Sequence, residues 1–165
     1  MSNEIYIALL EVEKVTIERI DKLLEESERS NCIAQVIRKD AIAGPHQLLL
    51  SILETYLALS KKSTIARRPS LELLLRISGT RQIRDAIRNY GAIEGARGLV
   101  IIICRDIERV KEFIKKVPEI LMSKTRIIDN IDELLKKGKA PICTLPELCY
   151  ELEQMSKIEM LKLVT

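Results

Sequence analysis

The sequence predicts one α/β domain over residues 1–165, a small mixed β-sheet packed with several α-helices. Three observations predict it. Short β-prone runs alternate with longer segments whose apolar residues recur every three and four positions. One run, Leu99 to Cys104, is apolar throughout, as a strand covered on both faces should be. At 165 residues the chain can bury a core, and its 47% hydrophobic and 31% charged content is neither that of a disordered tail nor that of a membrane protein.

Ile5 to Val12 opens with apolar, β-prone residues and reads as a strand. Thr16 can cap a following helix in which Ile17, Ile20 and Leu24 step along one face. Ile33 to Ile37 reads as a second strand. Gly44-Pro45 then breaks the chain ahead of a long helix carrying the stripe Leu49, Ile52, Leu53, Tyr56 and Leu57. Lys61 to Arg68 is a basic loop, and Pro69 suits the first turn of the next helix, whose apolar face is Leu71, Leu74 and Leu75. Gly79 provides a left-handed end, Thr80 a cap for a helix from Arg81 to Tyr90, and Gly91 its close. After the Leu99–Cys104 strand, Asp106 caps a helix with Ile107, Val110, Phe113, Ile114 and Val117 inward, expected to stop at Pro118. In the final third, about residues 118–165, Asn130 with Glu133 and Thr144 with Glu147 have capping-box spacing, with a loop from Lys136 to Pro141 between them.

No apolar run approaches the ~20 residues that cross a bilayer, and Met1 to Glu4 lack the basic start of a secretory signal, so a cytoplasmic location without membrane contact is expected. The four cysteines, Cys32, Cys104, Cys143 and Cys149, form no C-x-x-C pair, and His46 is the one histidine. That set does not make a structural zinc site, and reduced, mostly buried thiols are expected. Little Asn and Gln beside much Ile, Lys, Arg and Glu is a weak pointer to a thermophile.

Charge is unevenly spread. Residues 61 to 97 hold nine basic and three acidic residues, a local +6 that leaves −3 for the rest of the chain. An anionic partner for this segment follows. The cluster Gly91, Gly95, Gly98 has the wrong spacing for a phosphate loop and precedes a strand, so a helix end and turn explain it better. His46 has no Cys or carboxylate near it in sequence to form a triad or metal site, and packing or a helix-end hydrogen bond is the expectation. Aromatic residues are 3% of the chain and scattered, so RNA contact would rest on arginines and apolar pockets rather than stacked rings. Arg81, Arg84 and Arg88 share one side of their helix and Ile83 and Ile87 another. With Arg67 and Arg68 in the preceding loop, the arginines can address phosphates in bidentate fashion, although a solvated helix face has equal claim on charge alone.

The stretch Leu71-Glu72-Leu73-Leu74-Leu75-Arg76-Ile77-Ser78-Gly79-Thr80-Arg81-Gln82-Ile83, with Ala86-Ile87 and Gly91 after it, resembles the signature of the kinase-binding, tRNA-tail-binding subunit family of the KEOPS complex. The order of elements to about Cys104 is similar too. Two positions depart from that pattern: Arg76 stands where an aromatic is common, and the spacing of Gly44 and His46 is shorter. The resemblance implies a non-catalytic accessory subunit of the machine that makes N6-threonylcarbamoyladenosine in tRNA. It would bind the kinase-like subunit through helices and recruit tRNA by its 3′ CCA end, with neither cofactor nor small-molecule substrate. The tRNA contacts expected are Arg67, Arg68, Arg81 and Gln82, supported by Lys61 and Lys62. A helix-turn-helix DNA module built from Leu71–Ile77 and Arg81–Tyr90 is the rival reading, and a small enzyme on RNA or nucleotides a third. For the partner-binding surface, the helix from His46 to Ser60 or that from Thr16 to Glu28 should keep part of its apolar stripe exposed.

Overall fold

The computed structural model describes residues 5–42 and 44–128. The chain runs β1 (Tyr6–Val12), α1 (Ile17–Arg29), β2 (Ile33–Arg38), α2 (Pro45–Ser60), α3 (Pro69–Ser78), α4 (Ile83–Tyr90), β3 (Gly98–Cys104), α5 (Ile107–Leu121) and β4 (Thr125–Ile127). The mixed α/β class is as predicted. The capping boxes and loop expected after residue 128 lie outside the described residues.

The four strands are ordered β2-β3-β1-β4 and every ladder is antiparallel. The expected mixed sheet is thus antiparallel throughout, for a topological reason. Each helical crossover, β1–α1–β2 and β3–α5–β4, skips one position, and a strand of opposite direction fills the gap. This is the split βαβ plan of ferredoxin-like folds, with α2, α3 and α4 inserted between β2 and β3.

Side chains alternate across the sheet and build two cores. Ile7 and Leu9, with Leu99, Ile101 and Ile103, meet Leu48, Leu49, Ile52, Leu73 and Leu75 from the inserted helices. Ala8, Leu10 and Val12, with Val100 and Ile102, meet Leu23 and Leu24 of α1 and Val110, Phe113 and Val117 of α5. β3 is therefore buried at all seven residues, which is why its sequence is apolar without alternation.

Several local expectations shift. Thr16 sits at the N-cap of α1 without a side-chain capping bond; the Ile17 N–H donates instead to Glu94 Oε2 at 2.7 Å, so a distant carboxylate serves that helix end. Ile17 is exposed, and the buried positions are Leu23, Leu24 and Ser27. α4 starts at Ile83, two residues later than predicted, because Thr80 Oγ1 accepts from the Gln82 N–H at 3.1 Å and forms a turn ahead of the helix. Gly79 does end α3 in the left-handed region, at φ 71°. α5 passes through Pro118 to Leu121: the proline falls in the last turn, and its carbonyl still accepts from the Met122 cap. β4 has three residues and no sequence signal.

The largest correction concerns sulfur. Cys32 and Cys104 are joined as a disulfide rather than standing as reduced thiols. Ile33 pairs with Ile103, so the residues flanking that pair also face each other, with Cα atoms 4.5 Å apart, the spacing of a close cross-strand pair. Seventy-two residues separate them in sequence, so no spacing motif announces the contact. Cys143 and Cys149 lie outside the described residues.

Candidate functional site

The basic loop between α2 and α3 is organised by an acid. Glu72 lies on α3 with no exposed surface. Its Oε2 accepts from the backbone N–H groups of Ile65 at 2.8 Å and Ala66 at 2.7 Å. Its Oε1 accepts from Arg76 Nε at 3.0 Å and Nη2 at 2.7 Å. Arg76, about one quarter exposed, then lines a small pocket of about 170 Å³ with Glu54, Ile65, Gly79, Thr80 and Arg81. Loop 61–68 and the α3–α4 turn thus meet at one corner. Sequence reading took Glu72 only as part of the family-like stretch and as an acid in a basic segment. Its spacing of four from Arg76 was the available signal.

The predicted contact residues divide at this corner. Lys61, Lys62 and Arg67 are exposed on the loop, and Arg81 and Gln82 are exposed in the α3–α4 turn. Arg67 and Arg81 have no ion-pair partner among the described residues. Arg68, expected as a tRNA contact, is instead held by two acids. Its Nη1 donates to Asp21 and its Nε to Glu28, both at 2.7 Å, tying the loop to α1, and these two carboxylates raise its pKa. Arg84 and Arg88 stand exposed on α4, Arg88 within 3.1 Å of Asp85. Arg38 caps the far end of that helix by donating to the carbonyls of Arg88 and, at 3.1 Å, Gly91.

α3 and α4 joined by their turn have the outline of a helix-turn-helix. They are not a separate module, since α3 shares the core of the sheet and Gln35 of β2 donates to the Ser70 carbonyl at 2.8 Å. His46 is half-buried in the first turn of α2, with Nδ1 enclosed and no hydrogen-bond partner for it among the described residues.

A second surface lies on α2. Its sequence is apolar on nearly every side, and its inner face fills the core through Leu48, Leu49 and Ile52. Leu50 and Leu57 are left 43% and 53% exposed, with half-buried Leu53 between them. These three, at i, i+3 and i+7, form an apolar seam along the outer side of the helix. α1 exposes the single large apolar residue Ile17. Ile83 and Ile87 on α4, read from sequence as one face, are also exposed, and Ala86 is the buried residue of that helix.

An open cleft of about 490 Å³ is lined by Glu28, Asn31, Tyr56, Ser60, Pro69 and Arg105 among others. The Arg105 guanidinium stands 5.4 Å from the centroid of the Tyr56 ring. Burial pushes the Tyr56 phenol up, partly offset by Arg105, so it stays protonated. Among the described residues no three His, Cys, Asp or Glu side chains are grouped to hold a metal ion, and no helix is long and apolar enough to cross a membrane.

Comparison with known proteins shows the family. The family described as Kinase binding protein CGI-121 matches residues 12–162 of the chain. No curated protein matches it.

Proposed function

Because the chain belongs to the CGI-121 family of kinase binding proteins, we propose that it is a non-catalytic, cytoplasmic subunit that holds a kinase-like KEOPS subunit on one surface and the 3′ CCA end of tRNA on another. The family match carries the kinase half. The surface that suits it is the α2 seam, because α2 keeps large apolar side chains exposed after its inner face has filled the core. The α2 helix is thereby preferred to α1. The seam offers Leu50, Leu53 and Leu57 at the spacing by which one helix receives another.

The RNA half rests on the corner where loop 61–68 meets the α3–α4 turn. Lys61, Lys62, Arg67 and Arg81 present cations there, with Gln82 beside them as a neutral hydrogen-bonding group. A short single strand suits this reading better than a duplex, since Lys61, Lys62 and Arg67 stand on a loop off α4, the helix that a duplex-binding module would use. Arg68 supports the site from behind, through α1, and contributes no free guanidinium.

Native protein purified under mild conditions should carry a kinase-like protein and tRNA together. Leu50→Glu with Leu57→Glu should lose the kinase and keep tRNA, with little change in stability because both positions are exposed. Retention of the kinase by that variant would move its site off α2, and absence of both partners from the native preparation would sink the whole reading.

A further inference from the structure

We propose that Glu72 is the positioning residue of the RNA-binding corner: its buried carboxylate holds loop 61–68 in the shape that presents Lys61, Lys62 and Arg67, and fixes Arg76 beside Arg81. The ligand half of this inference rests on the RNA reading above; the loop half stands without it.

A carboxylate with no solvent contact is costly unless every lone pair is used. At Glu72 two backbone amides and two guanidinium N–H groups use them. An apolar residue of similar size would pack α3 into the core as well. It could not accept from Ile65 and Ala66, and that is what this acid adds. The other backbone bonds of the loop lie at its two ends, where Lys61, Lys62 and Ser63 donate to Leu57, Leu59 and Ala58 and the Arg68 carbonyl accepts from Leu71 and Glu72. Between Ser63 and Arg68 the backbone is anchored through Glu72, and Arg68 itself is tied to α1 by its side chain. Arg67 directly follows the second anchored amide, so Glu72 sets where its side chain begins.

The same carboxylate reaches the opposite rim. Arg76 is bound through Nε and Nη2 and lines the small pocket that Arg81, Gly79 and Thr80 also line. One acid therefore sets two cationic rims a strand would contact together. Order in these groups before binding lowers the entropy lost when the ligand arrives.

The closing experiment uses the full chain. In Glu72→Gln, one side of the amide must turn an NH2 group toward donors, so either the loop or Arg76 loses its acceptor. Glu72→Met with Arg76→Met removes both charges at similar volume and keeps a packed core, so it serves where the first variant folds poorly. In both, exchange of the Ile65 and Ala66 amides and tryptic cleavage after Lys61, Lys62 or Arg67 should rise about tenfold or more, as local opening becomes easier. Affinity for tRNA should fall about tenfold with a shallower salt dependence, since fewer phosphates are met at once. Kinase binding should be unchanged, which separates positioning from a general loss of structure. Loop exchange and cleavage unchanged in the double variant would overturn the proposal, as would equal losses of tRNA and kinase. If the parent chain binds no tRNA, the ligand half falls with the RNA reading, and exchange still decides the loop half.

Discussion

Arg67 and Arg68 are adjacent in sequence, yet only Arg68 is committed to the fold, through Asp21 and Glu28. Reversing Arg67 to Glu should weaken tRNA binding about tenfold or more and leave the melting temperature within a degree or two, since an exposed charge contributes little to stability. Reversing Arg68 to Glu sets a third carboxylate against Asp21 and Glu28, and should lower stability by about 1–2 kcal/mol. Any loss of binding in that variant would then be read through loop displacement. Equal effects of the two reversals on stability would contradict the pairing. Sequence made the two look alike because charge is visible in a one-dimensional reading and a partner forty residues away is not. Glu11 was missed for the same reason. It is nearly buried on β1, bonded to Lys39 and 3.5 Å from Arg97 and Arg126, which come from three separate segments. The bond from Lys39, with the charges of Arg126 and Arg97, holds its carboxyl below the ordinary range against the opposing cost of burial. A carboxyl lowered by folding stabilises the protein above its unfolded pKa, and that stability is lost as pH falls through the folded value. Glu11→Gln should therefore cost roughly 1.5–3 kcal/mol at neutral pH and flatten the acid limb of the stability profile below about pH 4.5. A parent and variant whose acid limbs run parallel would show that the cluster carries no such linkage.

At the scale of elements, periodicity carried most of the reading. The first three strands, α2, α3 and α5 stand close to where apolar spacing put them, because burial on one or both faces of a regular element imprints its period on the sequence. β4 left no imprint: three residues, pairing with Leu10 to Val12, hold too few side chains to show alternation. Sequence put an exposed apolar stripe on α2 or α1 without choosing, since a residue facing the core and one awaiting a partner look the same there; Leu50 and Leu57 place it on α2. The join between β2 and β3 was invisible until register was known. The Cys32–Cys104 bridge closes a 72-residue span that contains α2, α3 and α4, the elements bearing both proposed surfaces. In the chain-entropy account, a closed loop of that length adds roughly 4 kcal/mol. Reduction, or Cys32→Ala with Cys104→Ala, should lower the melting temperature by roughly 10 °C. Intact-mass analysis after alkylation without reductant should find this pair unlabelled. Two labelled thiols here, with a melting temperature indifferent to reductant, would return both cysteines to the reduced state first expected.

At the scale of the whole molecule, the two proposed surfaces share one helical layer. The α2 seam and the basic corner both lie on the insertion between β2 and β3, while the split βαβ frame supplies the sheet beneath. A cytoplasmic location, as proposed, would normally disfavour a disulfide; intracellular proteins of hyperthermophiles are the known exception, and the composition agrees with such a source. On the proposed function, RNA must bind without occluding the kinase. The two ligands should therefore bind at once, with neither affinity altered more than a few-fold by the other. The proposed RNA footprint is also small. With about three phosphates neutralised by Lys61, Lys62, Arg67 or Arg81, the log–log salt slope should be near −2, from roughly −0.7 for each contact on a single strand. A duplex-binding protein spread along α4 would engage more phosphates at about −0.9 each and give a much steeper slope. Trimming the CCA end should remove most of the affinity, whereas duplex DNA of equal length should compete poorly. Intact and trimmed tRNA binding alike would show that the corner does not hold the tail, and a steep slope with effective duplex competition would revive the helix-turn-helix reading of α3 and α4.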